Sequence, residues 1–309
     1  MQIPINQQRA QWWSISGLII VTGIMAMVFC WTQFQTPIRP GLDFVGGTRL
    51  LLERTCQQPQ SCGESLDLGN IRAALAERGL ANSSIQIVGE NKQAISVRTP
   101  PLDEEKRTPL VEDLNQRFGP FDQAKTQIDT VGPTLGKELL TNGLLALLIS
   151  FVGISLYLTI RFEFDYAVWA IVALAHDVFV TLGVFALLGV VLGVEVDSLF
   201  IVALLTIIGF SVNDTVVIYD RVRENLNLTP DLPLHEVVDA AVNQTLTRSI
   251  NTSLTTMLPL VAIFLFGGET LKYFALALLV GFTSGVYSSI FIASTLFTWW
   301  RERSKPALP

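Results

Sequence analysis

The sequence predicts a polytopic α-helical membrane protein: six transmembrane helices, with one α+β domain on the extracytoplasmic side between the first and second spans. Three observations carry that expectation. Half of the 309 residues are hydrophobic and only 16% are charged, with the apolar residues sorted into long blocks. Six blocks are long enough to cross a bilayer, for which a helix needs about 20 apolar residues. Between the first two blocks, from Gln35 to Gly136, hydropathy falls and short strand and helix patterns take over.

The six expected spans are 13–31, 139–160, 167–192, 198–219, 246–267 and 273–299. The stretch from Phe164 to Gly193 is mostly Val, Leu, Ala and Ile, which suits lipid better than water. The first block has Arg9 ahead of it and no A-x-A site after it, so it reads as an uncleaved helix rather than a signal peptide. Arg9, Arg161, Arg221, Arg223, Arg301, Arg303 and Lys305 all fall on one side of the expected topology. The opposite short loops, 194–197 and 268–272, carry only Lys272. Cytoplasmic loops hold the Lys/Arg excess, so both termini are expected in the cytoplasm. The division is then 1–34 (N-terminus and first span), 35–136 (outer domain), 137–300 (five-helix membrane region) and 301–309 (cytoplasmic tail). The net charge of −6, with no basic stripe, gives no reason to expect a nucleic-acid partner.

In the outer domain, 49–54, 84–88, 94–98 and 125–131 read as strands, with Glu90-Asn91-Lys92 as a hairpin turn. Leu68, Ile71, Ala74 and Leu75 fall at helical spacing in 67–79, as do Leu110, Val111, Leu114 and Phe118 in 103–118. The order βαββαβ is the ferredoxin-like split unit. It contains no histidine, no G-x-S-x-G and no metal-ligand spacing, so a binding or mechanical module is expected, with no cofactor and no enzymatic activity. Cys56 and Cys62 flank a short polar loop on the oxidising side. A local disulfide and two separate thiols both stay open. Cys30, at the end of the first span, reads as inert.

Ionisable groups within the spans point to function. A charge at the centre of a span costs about 2.5–3.5 kcal/mol on insertion scales, so one that is present there is a functional candidate. Asp177 lies in the middle of the third span, Asp214 in the last part of the fourth, and Arg248 opens the fifth. At 1.5 Å per residue, Asp214 lies roughly 9 Å inside Asp220. Asp214 and Arg248 are expected at similar depth on neighbouring helices, the carboxylate facing the guanidinium as a proton switch. Each has a plainer reading: a static helix contact for Asp177 or Asp214, and snorkelling for Arg248. Ser211, Asn213, Thr215 and Ser253 make this region polar, and His176 is either a relay or a neutral histidine bonded to a neighbour.

Three local sequences together resemble a known family. They are GLDFVGGT (41–48), LAHDV (174–178), and GFSVNDTVVIYDRVREN (209–225) with QTLTRSINTS (244–253). Paired glycines alone also serve plain turns, but the combination at these positions resembles the SecF family of the bacterial Sec export machinery, which is similar to half of a resistance-nodulation-division transporter. The resemblance implies pairing with SecD to make twelve spans. It also implies a place beside SecYEG in the plasma (inner) membrane, with YajC-like and YidC-like accessory proteins. SecA-driven preproteins would be the substrates, and protons would supply the energy for the late steps of export. It further implies that Asp214, Arg248 and Asp177 occupy the family's intramembrane ionisable positions, and that Gly41, Asp43, Gly46 and Gly47 form its glycine motif. Asn213, His176 and Ser253 are the supporting polar residues. The small Cys56–Cys62 insertion departs from the family pattern. The rival readings are a proton-coupled efflux half-transporter and a scaffold that uses no protons. A membrane hydrolase stands further off, for want of a zinc motif or a nucleophile–base pair.

Overall fold

The structure is a computed structural model and describes residues 3–54, 66–81, 83–88 and 93–304. The Cys56–Cys62 pair, the Glu90–Lys92 turn and Lys305 lie outside the described residues. The chain divides into two compact units: residues 1–39 with 143–309, and residues 40–142.

The smaller unit is built on one four-stranded antiparallel sheet. Its strands are β1 (Gly47–Glu53), β2 (Ser84–Val88), β3 (Ala94–Thr99) and β4 (Gln127–Val131), in the order β2-β3-β1-β4. Helix α3 (Leu68–Glu77) joins β1 to β2, and α4 (Glu104–Phe118) joins β3 to β4. This is the expected split βαββαβ arrangement. Alternation places Leu50, Leu52, Ile85, Ile95 and Val97 on one face, where Ile71, Leu75, Leu110 and Leu114 of the helices cover them. Asp67 starts α3 by accepting from the backbone N–H groups of Gly69 (3.3 Å) and Asn70 (3.2 Å). The two helices are tied together by Asp113, which accepts from Arg78 and Arg117 at 3.1 Å each, and by Arg117, which reaches Glu77 at 2.7 Å. The Arg78 hydrogen bond, aided by the charge of Arg117, holds the Asp113 carboxyl below its ordinary range.

The larger unit holds α1 (Arg9–Phe34), most of α5 (Pro133–Arg161), α6 (Phe164–Val191), α7 (Ser198–Leu228), α8 (Leu234–Phe266), α9 (Glu269–Tyr287) and α10 (Ser294–Ser304). A π-helical turn, Ser288–Ala293, joins α9 to α10 without a break. Among the described residues, six helices are long and apolar enough to cross a membrane: Asn6–Phe34, Pro133–Arg161, Phe164–Val191, Ser198–Leu228, Leu234–Phe266 and Leu271–Ser304. The helices α6 and α7 and the last span are half or more buried, whereas α5 and α8 are nearly bare. The former three make the centre of the bundle.

The largest difference from the sequence expectation is at the fifth span. Helix α8 begins at Leu234, twelve residues before the apolar block, so Arg248 does not open it but lies well inside it. Residues 234–245 are amphipathic: Val237, Val238, Ala241 and Val242 are buried, and the charged residues between them break the apolar run without breaking the helix. Close packing in the bundle uses small residues. A Cβ added at Gly23 of α1 would come within 2.9 Å of Gly183 Cα in α6, so there the two helices touch backbone to backbone.

Candidate functional site

Asp177, on the buried face of α6, is completely enclosed. Its Oδ1 accepts from Ser284 Oγ at 2.7 Å and lies 3.0 Å from His176 Nδ1. Its Oδ2 accepts from Ser211 Oγ at 2.6 Å and Ser288 Oγ at 2.7 Å. One carboxyl thus gathers α6, α7, α9 and the π-turn. Ser284 and Ser288 are one turn apart, and the π-turn that follows carries Ser289 to Thr215 Oγ1 at 2.7 Å. On its far side, His176 Nε2 lies 3.2 Å from Ser16 Oγ of α1.

Asp214 is arranged differently. It sits on α7, one turn beyond Ser211, and is also buried. Ser249 of α8 donates to its Oδ1 at 2.7 Å, while its Oδ2 is buried with no hydrogen-bond partner among the described residues. Ser253, one turn on, is buried and donates to the Ser249 carbonyl at 2.7 Å. Asp214 thus meets α8 at Ser249, the residue next to Arg248. Arg248 lies on the exposed side of α8 and forms no ion pair with Asp214. The guanidinium makes no direct contact with the carboxyl and acts on it through its charge at longer range. Adjacent residues on a helix point about 100° apart, so with Ser249 buried against α7 the Arg248 position turns toward the exposed side of α8. Arg248 shares its bare face with Thr247, Asn251, Thr252 and Thr255. Asn213 likewise lies on the exposed side of α7.

The glycine motif belongs to the smaller unit. Gly41 starts a single helical turn, α2 (Leu42–Val45, containing Asp43), and Gly46 and Gly47 then carry φ angles of +75° and +129°. A Cβ at Gly46 would come within 2.9 Å of Pro133 Cα, and one at Gly47 within 2.5 Å of the Thr99 carbonyl oxygen. Only glycine fits both the left-handed backbone and the close approach. Arg98 of β3 donates to the Pro40 and Gly41 carbonyls at 3.2 Å each, fixing the turn to the sheet. The glycines of the motif thus have a structural account here.

Comparison with known proteins shows the family. Residues 110–303 match the family model for the C-terminal region of protein export membrane proteins SecD and SecF, and residues 33–58 match the SecD/SecF GG motif. The chain belongs to the SecD/SecF family. It is 58% identical to the protein translocase subunit SecF of Synechocystis sp., over the whole chain and 98% of that relative. It is 36% identical to the protein translocase subunit SecDF of Thermus thermophilus, covering 92% of this chain and 37% of the relative. The crystal structure of SecDF from that organism superposes on 98% of the chain with a TM-score of 0.81 at 32% identity. The chain spans about two-fifths (39%) of that SecDF. A second structure, of SecDF in a super-membrane-facing form, matches with a TM-score of 0.67 at 33% identity.

Sequence reasoning singled out Asp177, Asp214 and His176, all of which the structure buries. It missed Ser249, Ser284, Ser288 and Ser16 as their partners. The spacing of four between Ser284 and Ser288 was the one available signal, and it pointed to no particular carboxylate.

Proposed function

We propose that this chain works as the SecF subunit of a bacterial protein translocase, a transport component rather than an enzyme. With SecD it would use the proton-motive force to promote late steps of preprotein export through SecYEG, with YajC-like and YidC-like proteins as further neighbours. It would sit in the plasma (inner) membrane with both termini cytoplasmic and residues 40–142 outside. The SecDF relative, in which the matching region is part of a longer chain, supports SecD as partner. The nearly bare helices α5 and α8 support a bundle completed by another subunit.

The observation that carries the proton-coupled reading is Asp214. It is a buried carboxyl in a membrane helix, with one oxygen held by Ser249 and the other unpartnered among the described residues. A group held on one side and open on the other is suited to exchange. Arginine stays charged and cannot itself carry the proton, so Arg248 tunes the site from the neighbouring face of α8. One charge crossing 100 mV supplies about 2.3 kcal/mol, a bias of roughly fiftyfold on a two-state equilibrium. That is enough to move a domain, though not to refold one. Asp177, with donors on both oxygens, has the role of supporting the path or the helix contact.

The test is preprotein export into inverted vesicles carrying Asp214→Asn. Asparagine keeps the shape and the Ser249 bond but exchanges no proton. Insertion and binding to SecD should persist while the stimulation of export by the proton-motive force is lost. Full proton-dependent export by the variant would remove Asp214 as the proton carrier.

A further inference from the structure

The hydrogen bonds around His176 have a direction, and the direction fixes a proton count. Tyr287 Oη lies 2.9 Å from the Trp12 carbonyl oxygen, which can only accept, so the phenol spends its hydrogen there. Ser16 Oγ, 3.2 Å from Tyr287 Oη, must then donate to it. With its one hydrogen spent, Ser16 can only accept from His176 Nε2 at 3.2 Å, so Nε2 carries a hydrogen. On the other side of the ring, Nδ1 faces Asp177 Oδ1 at 3.0 Å. A bare Nδ1 opposite an ionised carboxylate would set two lone pairs against each other. One more proton therefore lies in that bond, on nitrogen or on oxygen.

We propose that His176 and Asp177 form a buried proton-binding pair, which holds one shared proton and is electrically neutral as a unit. This deepens the supporting role given to Asp177 above and does not depend on Asp214 being the carrier. Neutrality resolves a physical difficulty: an isolated carboxylate at this depth would carry the full cost of a buried charge. Ser211, Ser284 and Ser288 fill the remaining acceptor positions in either tautomer, so the proton can sit on either partner without rearranging the helices. Of the other titratable side chains on the packed helices, Tyr287 stacks its ring 6.1 Å from the imidazole and Asp214 lies three residues beyond Ser211. Cys30 of α1 is held at the Ala186 carbonyl, Tyr219 of α7 donates to the Ala293 carbonyl, and the remaining charged groups lie near the helix ends. At the far end of α6, Glu163 and Asp165 are paired with Arg301.

Loss of that proton to bulk water has a defined structural result. The imidazole becomes neutral with its hydrogen on Nδ1, donated to the carboxylate, and Nε2 becomes an acceptor. Ser16 must turn its hydrogen from Tyr287 to Nε2. The bond from α1 to α9 at Ser16–Tyr287 therefore exists only while the pair holds its proton, and α1 leads the chain into residues 40–142.

The experiment is nitrogen-15 solid-state NMR of the full chain, assembled with SecD in lipid nanodiscs. The chain has two histidines, so a His235→Gln background leaves His176 as the only labelled imidazole. At neutral pH the Nε2 resonance should be that of a protonated nitrogen. In Tyr287→Phe, Ser16 is free to donate to the ring, and at the same pH the Nε2 resonance should move toward the unprotonated position. A role in packing alone would leave it unmoved. A wild-type spectrum with Nδ1 protonated and Nε2 bare overturns the proposal, as does a Tyr287→Phe spectrum identical to wild type. Neither result depends on export, so failure here leaves the role of Asp214 to its own test.

Discussion

Ser249 Oγ meets Asp214 Oδ1 at 2.7 Å across the α7–α8 contact, and the arginine beside it in sequence does not. The buried carboxyl is thus oriented by a neutral hydroxyl, with the guanidinium one position round the helix. Ser249→Ala should reduce proton-stimulated export without abolishing it, and Ser249→Thr should restore it. Arg248→Lys should be milder than Arg248→Met if charge matters more than the guanidinium fork. Export rates measured with and without a proton gradient separate these outcomes. An Ser249→Ala protein equal to wild type would remove the serine from the site.

Asp177 should matter more to bundle stability than any of the hydroxyls around it. Removing one serine forfeits one hydrogen bond, at a cost of about 0.5–3 kcal/mol depending on the charge of its partner. Asp177→Ala leaves the buried donors Ser211, Ser284, Ser288 and His176 all without their acceptor. Thermal unfolding in mild detergent should rank Asp177→Ala well below Ser288→Ala, with Asp177→Asn between them. Equal melting of Asp177→Ala and wild type would contradict the hydrogen-bond hub.

Acid should loosen the smaller unit where α3 meets α4. Because Arg78 holds the Asp113 carboxyl below its ordinary range when folded, Asp113 contributes stability above that ordinary range. The contribution fades as pH falls through the folded value. A fragment spanning residues 40–142, which has its own core around Leu50, Ile71, Ile95 and Leu114, is expected to fold alone. Its urea midpoint should fall in Asp113→Asn at neutral pH and converge with wild type in strong acid. A gap between the two that persists in acid would show that the effect is not the ionised pair.

The topology can be checked with an impermeant thiol reagent in a background without native cysteines. The structure brings Arg161 to Asp220 at 2.9 Å, and Arg301 to Asp165 at 3.3 Å, so the basic ends of several spans gather at one end of the bundle. Cysteines at Asn227 and Ser304 should be protected from outside, and those at Leu192 and Gly268 should react. All four positions are exposed. Labelling of the first pair from outside reverses the orientation.

Much of this architecture was readable from pattern alone, and the misses have physical causes. Strands such as β1 alternate between two environments, so Leu50 and Leu52 declare a face at once. Asp177 and Asp214 stand out because charge is scarce in lipid. The start of α8 did not, because His235, Glu236 and Asp239 interrupt hydropathy while leaving helical periodicity intact. Ser284 and Ser288 were silent for a different reason: a hydroxyl in an apolar helix can bond its own backbone as readily as a distant carboxylate. The direction of Arg248 depended on the angular phase of α8 against α7, which a single sequence does not record.

The bare face of α8 has a consequence for the life of the molecule in the cell. Arg248, Asn251, Thr252 and Thr255 run along that face at helical spacing and are exposed among the described residues. A copy released into the bilayer without a mate exposes this row to acyl chains, which offer the Arg248 guanidinium and the Asn251 amide nothing to bond, although the Thr255 hydroxyl is already held by the carbonyls of Asn251 and Thr252. Surplus subunits are therefore marked as incomplete by their own surface, and their half-life should follow the supply of the mate. Abundance of the two proteins would then be balanced after synthesis, by survival, whatever the ratio in which they are made.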